Sequence, residues 1–142
     1  MRRIDRLLAR YGESHGHRLN KAIHWVCVPL IMWSALAALW AWAPAAAVTG
    51  AILALVFYVW LSPPLALGML GVTVVMLAPL ASLAPRALLV VAVAVFVGAW
   101  IGQFVGHRIE GRKPSFLEDV VFLLVGPAWL LADVYRRLNL RY

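Results

Sequence analysis

The sequence predicts an all-α integral membrane protein. Four transmembrane helices are expected, with an N-terminal interfacial helix and a C-terminal re-entrant or interfacial helical hairpin. Three observations carry this. The 142 residues are 64% hydrophobic and only 13% charged, against about 45–50% and about 25% in soluble domains, and so short a chain cannot hide that much apolar surface from water. Between Trp25 and Gly106 the only charged side chain is Arg86. Prolines divide that stretch into apolar runs of membrane-spanning length.

Taken in order, Ile4, Leu7, Leu8 and Tyr11 fall at i, i+3, i+4 and i+7 with arginines between them, the pattern of a short helix lying in the interface. Gly12 ends it, and Ser14 is a cap for the next helix. Apolar spans follow at about 23–42, 45–61, 65–80 and 87–105. Pro29 predicts a kink in the first. The basic segment before it is too long for a secretory signal, so the first span reads as an uncleaved helix. The segment 116–138 is apolar but holds Glu118, Asp119 and Gly126-Pro127. A hairpin bent at Pro127 avoids carrying three arginines across the bilayer. No internal repeat or linker interrupts the chain, and one domain over 1–142 is expected.

The net charge of +7 would fit nucleic acid if it formed a patch. Instead the basic residues cluster at 2–21, 108–113 and 136–141, at the ends of apolar spans. That fits the positive-inside rule and anionic headgroups, so the partner is a lipid bilayer and not nucleic acid. Cys27 is the sole cysteine, which excludes an internal disulfide. Oligomeric state is not encoded in any pattern here.

Counting spans yields the first functional inference. Four crossings return the chain to its starting side, so His15, His17, His24 and His107 all lie at one face. The flanking basic residues identify that face as cytoplasmic. His17, Asn20 and His24 share one helical face, as do Gln103, His107 and Glu110. His15 joins the first group only if the helix begins after it or if Gly16 bends the chain. Ionisable groups at membrane depth are costly and tend to mark function. Imidazole suits Fe, Zn, Cu or Ni, and a mixed histidine–carboxylate shell suits non-haem Fe(II). A structural zinc site is disfavoured because no thiolate but Cys27 is available. The bland reading of the same residues is a satisfied polar network anchoring helix ends. Arg108, Arg112 and Lys113 are either surface charge or an attractor for a substrate carboxylate.

Tyr11, His15, Asn20, His24 and Val28-Pro29 form a Y-x3-H-x4-N-x3-H-x3-VP string, and Gln103, Gly106-His107, Glu110 and Pro114 form Q-x2-GH-x2-E-x3-P. In this order and spacing the chain resembles the fungal 2-hydroxy-fatty-acid dioxygenase family and its bacterial relatives, over nearly its whole length. The resemblance implies an enzyme of fatty-acid α-oxidation that uses Fe(II) and O2. It shortens a 2-hydroxy fatty acid by one carbon. It also implies that His15, His24 and His107 hold the iron, with His17 matching an additional histidine of bacterial members. Glu110 is then a ligand or a partner to one, while Asn20 and Gln103 orient ligands or substrate. Pro127 and Asp133 are similar to a proline and an acidic residue near the family's C-terminus, with Asp where the family's pattern has Glu. The expected setting is a bacterial inner membrane with both termini and the histidines cytoplasmic. Two other readings stay open: a non-catalytic membrane protein with a structural or transport metal site, and a bis-histidine haem protein.

Overall fold

The computed structural model describes residues 1–142 and contains six α-helices and no strand. They are α1 (Arg3–Gly12), α2 (Arg18–Trp42), α3 (Pro44–Leu61), α4 (Pro63–Leu77), α5 (Pro85–Glu110) and α6 (Phe122–Arg137), with 3-10 turns at Ala78–Ser82 and Ser115–Leu117. Three of the starts have one cause. Pro44, Pro63 and Pro85 each open a helix, where a missing N–H costs nothing and the fixed φ is already helical. Four stretches are long and apolar enough to cross a bilayer: α2, α3, α4 with its 3-10 extension to Ser82, and α5. Large apolar side chains such as Val90, Val97, Ile101 and Phe104 point outward on α5, as expected where lipid and not water is the solvent.

α2 and α5 form the central pair. Their close approach depends on glycine. A Cβ at Gly102 would come 2.6 Å from Cys27 Sγ, and one at Gly106 would collide with Asn20 Oδ1. This is the small-xxx-small packing that lets membrane helices come together without hydrophobic drive. α2 runs unbroken through Pro29.

The flanking helices differ from their sequence expectations in instructive ways. The apolar face of α1 is spent on protein: Ile4, Leu8 and Tyr11 are buried against α3, α4 and α6. The C-terminal segment is a 3-10 turn followed by one helix that continues through Pro127. Pro127 lies in the second turn of α6, where it forfeits a single bond to a carbonyl near the helix start. The Tyr58 hydroxyl donates to the Leu124 carbonyl close by, at 2.8 Å. Both ends of α6 are tied to the histidine-bearing end of the bundle. Arg10 stacks on Phe122, Tyr135 donates to the Pro64 carbonyl at 2.8 Å, and Arg137 stacks on Trp25. α6 therefore lies across the span ends as a lid and does not cross between faces.

Candidate metal centre

Three elements bring three imidazoles together: the α1–α2 loop carries His15, α2 carries His24 and α5 carries His107. All three are buried, and one nitrogen from each lies within 4.8 Å of the others. The condition on His15 is met by the local fold. α2 begins only at Arg18, with His17 as its cap, so His15 is free of the helix and turns inward.

Hydrogen bonds fix how the rings present themselves. His15 Nδ1 lies 2.6 Å from the Tyr11 carbonyl and His24 Nδ1 lies 2.9 Å from the Asn20 carbonyl. A carbonyl only accepts, so each Nδ1 carries the proton and each Nε2 keeps a bare lone pair. Those two Nε2 atoms face each other at 2.8 Å. Two lone pairs at that distance repel unless a cation or a proton joins them. His107 Nδ1 is buried with no partner. Tyr11 stacks flat on His15, its centroid 4.2 Å away. Burial pushes the His15 imidazole down to about 4, which keeps it in the neutral form that can ligate. The three close, buried imidazoles could hold a metal ion, and backbone carbonyls orient two of them through Nδ1.

The other candidates occupy distinct places. Glu110 does not join the three histidines. Its Oε1 accepts from the Gly16 N–H at 2.9 Å, and its Oε2 accepts from the His17 N–H at 2.8 Å and from Asn20 Nδ2 at 3.1 Å. It clamps the loop that carries His15 onto α5. Asn20 completes the clamp by donating to the Ser14 carbonyl at 3.2 Å. His17 is exposed, and its Nδ1 accepts from the Leu19 N–H at 3.2 Å, so its side chain caps α2. Arg108 is exposed. Arg112 and Lys113 line a separate polar hollow of about 300 Å³, beside Arg10, Glu13 and Glu118. Asp133 pairs with Arg136 and Arg137 on the surface of α6.

Gln103, one turn from His107 on α5, lines the second feature of the site. This is a cavity of about 380 Å³ that starts at His24 and His107 and extends among α2, α3, α5 and α6. Its wall is mostly apolar, and Gly126 and Pro127 of α6 form part of it. Trp100, which neither sequence string includes, also lines it. The Trp100 Nε1–H is buried without a partner, leaving a donor for a ligand oxygen. The i, i−4, i−7 spacing of His107, Gln103 and Trp100 was the available signal. Ser115 borders both the cavity and the polar hollow, and its hydroxyl bonds that of Ser14 at 2.7 Å. A metal site at the head of an apolar slot can act on the polar end of an amphiphile.

The chain matches a known protein family. The family model described as Mpo1-like, 2-hydroxy-palmitic acid dioxygenase Mpo1-like, covers residues 1–138. No curated protein and no solved structure matches the chain.

Proposed function

The chain belongs to the Mpo1-like family, and from that premise we propose that it is an Fe(II)-dependent dioxygenase of fatty-acid α-oxidation. Its substrate is a 2-hydroxy fatty acid held within the membrane, and its product is the fatty acid one carbon shorter. Atoms and electrons balance with a single O2: the 2-hydroxy acid and O2 yield the shortened acid, carbon dioxide and water. The observation that carries this reading is the placement of three buried histidines, two with Nε2 lone pairs opposed, at the head of an apolar cavity.

His15, His24 and His107 would hold the iron. Bound iron would supply Lewis-acid chemistry and the capacity to activate O2 there. The chain's own residues do the rest. The Tyr11 and Asn20 carbonyls keep the imidazoles in the Nδ1–H tautomer, and Glu110 holds the His15 loop against α5. The Gln103 amide and the Trp100 N–H offer hydrogen bonds to substrate oxygens, and the cavity wall takes the acyl chain and excludes water. The basic residues at 108–113 draw the carboxylate toward the site, which faces the cytoplasm of a bacterial inner membrane by the positive-inside rule.

A bis-histidine haem is disfavoured because His15 and His24 confront each other at 2.8 Å, with no room for a porphyrin between them. A purely structural or transport metal would not need the cavity. The test is anaerobic reconstitution with Fe(II), then oxygen and a panel of 2-hydroxy fatty acids, with mass detection of products. The expected result is a shortened acid lost in His24→Ala and His107→Ala. Absence of iron binding, or full activity in both variants, would sink the proposal.

A further inference from the structure

The cavity below the histidines reaches deep between the helices. Its lining follows one face of α2 from His24 through Val28, Met32 and Ala35 to Leu39, a rise of about 22 Å at 1.5 Å per residue. That passes the midpoint of a hydrocarbon core about 30 Å thick. On α3 the lining ends with Gly50, Ala51 and Ala54. A Cβ at Gly50 would meet Leu39 Cδ1 at 3.6 Å, so α2 and α3 are in contact at that level. Thr73 on the wall donates its hydroxyl to the Met69 carbonyl at 2.8 Å, which leaves it no free donor for a ligand.

We propose that Leu39, Gly50 and Ala51 form a stop for the methyl end of a single unbranched acyl chain, and so set the longest chain the protein accepts. The identity of the polar head rests on the dioxygenase reading; the stop itself rests on the shape of the cavity. Added methylenes gain nothing on entering, because a chain leaving the bilayer moves from one hydrocarbon environment to another. Discrimination must then come from exclusion, since a chain one or more carbons too long forces side chains off their rotamers or withdraws the head from the histidines. Small residues on α3 leave the room, and Leu39 closes it.

The experiment uses the full-length protein, metal-free, in lipid nanodiscs. 2-Hydroxy fatty acids of graded length compete with a fluorescent long-chain fatty acid, and turnover of the same acids is measured after Fe(II) loading. In the wild type, affinity should be flat up to a limiting length and then fall by about tenfold or more. Gly50→Leu should move the limit to shorter chains and leave short ones unaffected. Leu39→Ala should move it to longer chains. The opposed directions guard against a variant that is merely destabilised, and Ala51→Val replaces Gly50→Leu if the latter does not fold. A limit unmoved by both changes, or an equal loss for every length, overturns the stop. Binding limits that shift without turnover uphold the stop and refute the dioxygenase reading; turnover with fixed limits does the reverse.

Discussion

Glu110 is the residue whose role changes most between the linear pattern and the folded chain. Spacing places it beside His107 as a possible ligand, but its carboxylate accepts three hydrogen bonds from Gly16, His17 and Asn20. A carboxylate so engaged acts through the loop that it holds, by keeping His15 in reach. Glu110→Gln keeps the shape but loses the charge-assisted bonds; metal affinity should fall by about 10–100-fold, as for other residues that support a ligand, measured by titration of the purified protein. His17→Ala should cost about 1 kcal/mol of stability as the loss of a helix cap and leave metal affinity unchanged, which would separate it from His15. Burial gives His15 a sharper signature. Its pKa falls from the ordinary 6.5 to about 4, so the unfolded chain binds a proton that the folded one refuses. The stabilising contribution is complete above pH 6.5 and is lost as pH falls toward 4. Thermal melts of the metal-free protein should decline through that window, and His15→Phe should flatten the decline. Trp100→Phe keeps the ring against Phe116 and removes the N–H; a substrate oxygen bonded there would weaken in binding by about tenfold, while a hydrated indole would give no change.

At the scale of elements, the α2–α5 pair holds the site together, because it carries His24 on one side and His107 and the Glu110 clamp on the other. Gly102 sets its spacing. Gly102→Ala places a methyl 2.6 Å from Cys27 Sγ, so the helices must part or shift. Overpacking of this kind costs about 1–3 kcal/mol, read as a lower melting temperature and weaker metal binding. Cys27→Ala in the same chain should restore much of both, since it removes the atom that collides. The same elements explain what could be read in the sequence. The spans were legible because bilayer length and proline punctuation are written in composition. The histidines were legible because crossing parity depends only on counting. The start of α2 was legible only as a condition on His15, since whether helix begins before or after Gly16 turns on His17 capping and on a carboxylate 93 positions away, which makes that bond. The continuity of α6 through Pro127 was not legible, because it depends on where the helix begins, and local sequence does not fix that. The burial of α1 against its neighbours was hidden for a like reason: an amphipathic face looks the same whether it meets lipid or protein.

For the whole molecule the arrangement makes a definite claim about sidedness. Four spans put the start of α5 opposite the histidines, and α6 lies across the near face with Phe122, Tyr135 and Arg137 all tied to elements there. Residues at 13, 113 and 141 should therefore share one side, and Ser82 should be alone on the other. The chain is convenient for testing this, since its only cysteine, Cys27, is buried within the spans. Single replacements Glu13→Cys, Ser82→Cys, Lys113→Cys and Arg141→Cys can each be probed with a membrane-impermeant thiol reagent. In cells with an exposed inner membrane, only Ser82→Cys should react; in inside-out vesicles the other three should react and Ser82→Cys should not. The expected orientation follows the positive-inside rule, because the far side carries Arg86 and the near side all the other Lys and Arg residues. Labelling of Arg141→Cys together with Ser82→Cys would mean that the C-terminal helix crosses the bilayer. The helix lining the cavity would then be displaced, and with it the apolar slot on which the acyl-chain reading depends.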